Sequence, residues 1–213
     1  MSMFENLSSR EPIDRGWSAD RKFKATTAEG NRYYLRISPM EKLENRKLQF
    51  SHMEQVRRLG IRVCEPVEFG VCDEGCYTLL GWVDGKDAEP VLPGLSGQKR
   101  YALGSEAGGM LRAIHGLPAP FAAAPWAERW GRKLDTKLAA YEACPLKYEK
   151  GELYLDLLRQ ERHLVENRPT VWQHGDFHCG NLMLDEALRL WVIDFDLSLI
   201  HISEPTRPRL ISY

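Results

Sequence analysis

Apolar and polar positions along this chain follow two different periods, and the switches between them predict its elements. Lys22–Thr27 and Arg32–Ile37 are short runs of aromatic, Thr and Ile residues around Ala28-Glu29-Gly30-Asn31, whose Gly and Asn tolerate positive φ. They predict a β-hairpin. After Pro39 the spacing becomes helical: Leu43, Phe50, Met53, Val56 and Leu59 form an apolar stripe that Gly60 ends. Val67–Val71 and Cys76–Trp82 then read as two strands around Cys72-Asp73-Glu74-Gly75, and Asp84-Gly85 breaks the second run.

From Tyr101 onward the chain reads as mostly helical. Leu103, Ala107, Met110, Leu111 and Ile114 make one stripe ending at His115-Gly116, and Leu153, Leu157, Glu161 and Leu164 make a later one. Leu117–Trp126, LPAPFAAAPW, holds three prolines and must be a loop between helical blocks. Trp126, Trp130 and Tyr141 fall at helical spacing and belong to the core in preference to a pocket wall. Leu182–Leu184 and Leu190–Ile193 flank the polar turn at Asp185-Glu186 and predict a second hairpin.

This hairpin brings candidate chemistry together. Antiparallel strands return the chain to its start, so Asn181 and Asp194 meet at the open end, where an amide oxygen and a carboxylate suit one Mg²⁺. Asp176 lies in the loop entering the hairpin and is placed to accept a proton from a hydroxyl attacking a phosphate. A zinc cluster of His174, Asp176, His178 and Cys179 is the competing reading, but no second cluster completes it and it leaves Asn181 and Asp194 unexplained.

Composition narrows the partners. Lys plus Arg number 29 against 30 for Asp plus Glu, so no global charge favours nucleic acid or an anionic membrane. No apolar run approaches the length of a membrane span. Five irregularly spaced cysteines suit a reducing compartment, and the expected location is cytoplasmic.

The run His174-Gly175-Asp176-Phe177-His178-Cys179-Gly180-Asn181, followed by Ile193-Asp194-Phe195, is similar to the signature of aminoglycoside phosphotransferases and related small-molecule kinases. Weaker likenesses precede it in the family's order. Gly16–Lys22 resembles the turn that covers the nucleotide, Leu35-Arg36-Ile37 the third strand, and Leu80-Gly81-Trp82-Val83 the adenine-facing hinge. The resemblance implies an α+β, protein-kinase-like two-lobe fold with a small β-rich lobe at 1–84 and a mostly helical, incomplete lobe at 85–197.

It further implies ATP and Mg²⁺ as cofactors and a small-molecule hydroxyl as acceptor: an aminoglycoside or a related amino sugar or amino alcohol. Asp176 is then the catalytic residue, Asn181 and Asp194 the metal ligands, and Arg36, Trp82 and Val83 the nucleotide contacts, with His174 and His178 shaping the loop. Two departures stand out. Arg36 occupies the place of a phosphate-contacting Lys, and the partner carboxylate expected on the first helix is left open, Gln49 falling at the position and Glu44 and Glu54 standing as the neighbouring candidates.

The family continues for several helices after the metal-binding Asp, whereas here only seventeen residues follow Asp196, LSLIHISEPTRPRLISY. Pro205 and Pro208 bar a regular helix there, and IHISEPTRP resembles translated sequencing adapter. Residues 198–213 are therefore expected to be a non-native tail on a fragment. The alternative readings are a nucleotide-binding pseudokinase or an inactive kinase fragment.

Overall fold

The structure is a computed structural model that describes residues 2–14, 20–118, 124–166 and 171–195. The tail from residue 196 and the covering turn at 16–19 lie outside the described residues. Two compact units are distinguished. The first runs to residue 113 and resumes at 176, and the second comprises residues 114–175.

The first unit is built on an antiparallel five-stranded sheet. Its strands are β1 (Leu7–Pro12), β2 (Arg21–Thr27), β3 (Arg32–Ser38), β4 (Pro66–Cys72) and β5 (Gly75–Gly81), in the order β1-β2-β3-β5-β4. The predicted hairpins are present in register, with Phe23 opposite Leu35 and Gly70 opposite Tyr77. Ala25, Leu35, Ile37, Tyr77 and Leu79 form the core of this sheet, with Met3, Phe4, Phe23 and Val67 packed against it. Strand β1 escaped the sequence reading. It is polar and almost wholly exposed, as an edge strand that pairs on one side can be.

Helix α1 (Leu43–Arg58) follows β3, as its periodicity predicts, but its buried face keeps only Met53 and Val56 of the apolar stripe and is otherwise polar. The buried residues are Arg46, Gln49, His52, Met53 and Val56, while Leu59 is 45% exposed. Arg46 and Gln49 can turn inward because their polar groups are hydrogen-bonded there. Arg46 donates from Nε to Ser38 Oγ at 3.1 Å and from Nη2 to the Asp20 carboxylate. At the far end of the buried face the His52 ring meets Phe195 edge-on, at 6.1 Å between centroids.

A second sheet of this unit joins β6 (Lys86–Asp87), β7 (Leu182–Leu184) and β8 (Leu190–Val192), all antiparallel. Between β6 and the long helix α3 (Gly97–His115) lies the single turn α2 (Ala88–Val91). In α3, Ala107, Met110 and Ile114 are buried, as its spacing predicts, and exposed Gly104, Gly108 and Gly109 are accommodated within it.

The second unit contains α4 (Trp126–Ala143) and α5 (Gly151–Gln160), which pack through Leu134, Leu138 and Leu155 with Tyr141 alongside. Trp126 is buried and stacks on Trp130 at 5.6 Å. The later stripe is corrected by the structure. Helix α5 ends at Gln160, residues Glu161–Val165 form a 3-10 turn, and Leu153, Leu157 and Leu164 are exposed. Leu155 carries the packing because it shares the face of Gly151, one turn earlier.

Gly75 permits the β4–β5 turn. Its φ is +132°, and a Cβ built there would lie 2.2 Å from the Ser38 carbonyl oxygen. Gly75→Ala therefore forces β5 away from the end of β3. The expected cost is about 2–4 kcal/mol, read as a lower midpoint in chemical denaturation.

Candidate active site

The hairpin β7–β8 positions the motif residues. Leu182 pairs with Val192 and Leu184 with Leu190, and one step beyond the ladder Ile193 N–H donates to the Asn181 carbonyl at 3.0 Å. This brings Asn181 to the start of the Ile193-Asp194-Phe195 segment. Asp194 itself has a φ of +56°, a left-handed conformation uncommon for a residue with a Cβ. Phe195, buried at its side, anchors the segment against His52.

The turn of the hairpin is tied by Asp185. Its carboxylate accepts from the backbone N–H groups of Ala187 and Arg189, from Arg189 Nε at 2.7 Å and from Trp191 Nε1 at 3.1 Å. Burial opposes the charge, but these donors outweigh it and hold the carboxyl down at about 2.

Asp176, Asn181 and His178 are linked by hydrogen bonds. Asn181 Nδ2 donates to the Asp176 carbonyl at 2.8 Å and to its Oδ2 at 3.2 Å. His178 Nδ1 accepts from Gly180 N–H at 3.0 Å, so the neutral ring carries its proton on Nε2, which lies 3.2 Å from the same Oδ2. With both bonds of Nδ2 spent on Asp176, Oδ1 is the atom Asn181 has to offer a cation. Gly180 allows the tight loop, since a Cβ there would meet the His178 ring at 2.7 Å and a Glu89 carboxylate oxygen at 3.2 Å.

A cavity of about 330 Å³ opens within the first unit. Apolar side chains line part of it, among them Ile13, Leu80, Val83, Met183, Ile193 and Phe195. Its polar wall includes Lys22, Arg36, Asp87, Asn181 and Asp194. Trp82 is on the wall as well, its backbone N–H donating to the Arg32 carbonyl at 3.2 Å. Of the residues singled out by sequence, Arg36, Trp82, Val83, Asn181 and Asp194 share this cavity. Asp176 is not on its wall; it is joined to it through Asn181 and is two-thirds exposed.

Asp194 acts electrostatically on several neighbours. Burial pushes the Cys64 thiol and the Tyr34 phenol up to about 12, and the negative charge of Asp194 adds to both shifts. The same carboxylate favours the charge on Arg36, which burial and Arg46 oppose.

Arg36 hydrogen-bonds Gln49 Oε1 through Nη2 at 3.3 Å, so the residue beside it on α1 is an amide and not Glu44 or Glu54. Arg46 donates to that same oxygen. Sequence reasoning missed Arg46 and its partners Asp20 and Ser38. Their one signal was a polar residue on α1 at three-residue spacing from Gln49, legible only once the buried face is known.

The sequence model of the phosphotransferase enzyme family matches residues 9–201. No curated protein matches the chain. Among solved structures, the aminoglycoside phosphotransferase APH(3'')-Id of Streptomyces rimosus is 21% identical, with a TM-score of 0.58 over 87% of this chain and 70% of that one. APH(2'')-IIa, solved as a ternary complex with streptomycin and ATP, is 14% identical with a TM-score of 0.62, over 91% of this chain and 67% of its own. The amicoumacin kinase hAmiN, solved with AMP-PNP and Ca²⁺, is 19% identical with a TM-score of 0.60, over 87% of this chain and 58% of its own. The fold is thus the expected α+β, kinase-like one. Among the described residues no helix is long and apolar enough to cross a membrane.

Because the folded-state value of Asp185 lies below the ordinary carboxylate value near 3.9, its contribution to stability is complete above about pH 4 and fades as pH falls through about 2. Asp185→Asn is expected to be less stable than the parent at pH 5, with the gap closing towards pH 2. Denaturant midpoints at the two pH values check this.

Proposed function

The chain belongs to the phosphotransferase enzyme family, and we propose from that premise that it moves the γ-phosphate of ATP to a hydroxyl of a small polar molecule. An aminoglycoside, or a related amino sugar or amino alcohol, is the acceptor class. The observation that carries the reading is the linked set Asp176, Asn181 and Asp194, two of whose members line a cavity that also holds Arg36.

The residues fit the groups that this reaction needs. Asn181 Oδ1 and the Asp194 carboxylate are hard oxygen donors, so they are the ligands that would hold Mg²⁺. The ion, when bound, would supply charge neutralisation for the phosphate oxygens. The apolar walls at Leu80 and Val83 suit a base, Trp82 is the neighbouring hinge contact, and Arg36 suits phosphate by charge.

Asp176 takes the proton of the acceptor hydroxyl as the oxygen–phosphorus bond forms and ADP departs. Its exposure lets an acceptor reach it, while the Asn181 amide and the His178 Nε2–H fix the direction of its carboxylate. Fixing that direction lowers the entropy lost when the acceptor is aligned.

A second reading, a nucleotide-binding protein without turnover, is favoured by one observation: Arg36 pairs with an amide and not with a carboxylate. The two readings separate in one assay. Steady ADP release that depends on an acceptor supports the enzyme, whereas tight ATP binding without release supports the second reading.

Asp176→Asn is expected to lower kcat by about 10²–10⁴-fold with ATP affinity retained. An unchanged kcat removes Asp176 from the role. Asp194→Asn is expected instead to abolish the Mg²⁺-dependent part of nucleotide binding, followed by titration with and without the ion.

A further inference from the structure

The buried polar face of α1 ends at the cavity, and its wiring is unusual. Arg36 is 6% exposed, lines the cavity, and hydrogen-bonds Gln49 alone among the described residues. Its Nε, also buried, has no partner. Gln49 Oε1 accepts from Arg36 and from Arg46 together, so one neutral oxygen stands between two guanidiniums. The nearest carboxylate of the cluster, Asp20, is fully buried and taken up by Arg46 and by Lys42, the latter at 2.8 Å.

Two like charges sharing an amide repel one another, and burial adds to the cost of each. A carboxylate at position 49 would relieve both terms. Burial and Arg46 do press the Arg36 guanidinium towards neutrality, while Asp20 and Asp194 resist. The arrangement therefore leaves Arg36, at the cavity wall, with a neutral amide and no carboxylate as its hydrogen-bond partner.

We infer that Gln49 is a specificity-determining residue. By holding Arg36 through a neutral amide, it leaves that guanidinium's charge for a ligand's polyphosphate, so that the cavity discriminates by phosphate charge and not by the nucleoside alone. Gln49 itself does not line the cavity, and it acts through Arg36. Asp20 and Ser38 serve the same end by anchoring Arg46, which sets the position of the Gln49 oxygen. This inference rests on the nucleotide-site reading above.

The test is calorimetric titration of the whole chain with Mg-ATP and, separately, with adenosine. The parent is compared with Gln49→Glu and Gln49→Met. Glu keeps the shape and adds the missing charge, while Met removes the hydrogen bonds without adding charge.

Gln49→Glu is expected to weaken ATP binding about tenfold and to leave adenosine binding within about twofold. Its thermal midpoint should be equal or higher, because it gains ion pairs to Arg36 and Arg46. A merely structural role would lower midpoint and affinity together. Gln49→Met should lose clearly less ATP affinity than Gln49→Glu.

Equal or tighter ATP binding by Gln49→Glu overturns the inference while leaving the nucleotide site intact. An equal loss in both variants also overturns it, by assigning the effect to the hydrogen bonds and not the charge. A parent chain that binds neither ATP nor adenosine overturns the nucleotide reading and the inference together.

Discussion

The hydrogen bond from Ile193 N–H to the Asn181 carbonyl is a small contact on which the candidate site depends. It extends the β7–β8 ladder by one step, and that step brings the amide of Asn181 to the segment carrying Asp194. Beyond it the backbone leaves the strand through a left-handed residue, Asp194, whose conformation is held because Phe195 is buried immediately afterwards. Strain of this kind survives where neighbouring contacts over-determine it. The turn at the opposite end, tied through Asp185, keeps the two strands in the same register.

A second constraint comes from α1. A helix that buried only Leu and Val against the sheet would be simpler, yet this one buries Arg46, Gln49 and His52. Each placement has a physical reason in what it reaches: Asp20 and Ser38 for Arg46, Arg36 for Gln49, Phe195 for His52. The helix is thereby coupled to the β3 cation at one point and to the Asp194 segment at another. Its position and the geometry of the cavity are a single problem in packing, and charge is part of that packing.

Much of the fold was legible because the apolar periods are clear. The β2–β3 and β4–β5 hairpins, α1 and α3 all stand where period and turn chemistry put them. Strand β1 was not legible, since an exposed edge strand has no apolar alternation to read. The face of α1 was read only in part: Met53 and Val56 are buried as their spacing predicts, but apolar Leu59 is exposed while Arg46 and Gln49 of the same helix find buried partners. In the second unit Leu153 and Leu157 obey the period of a buried stripe, yet Leu155 is the residue that meets α4.

By itself, then, the sequence determined the local elements and the identity of the chemical groups. Hairpin spacing binds Asn181 to the neighbourhood of Asp194, and the short loop binds Asp176 to Asn181, because both depend on contacts between residues close along the chain. Only the tertiary structure decided that Arg36 faces Gln49 and that Arg46 shares the same oxygen. It alone decided that Asp20 lies buried beneath them, where Lys42 and Arg46 hold its carboxyl below the usual value against the cost of burial. These are pairings between side chains of β3, of α1 and of the residues just before β2 and α1, and no period in the sequence encodes which polar groups will meet when a sheet and a helix close on one another.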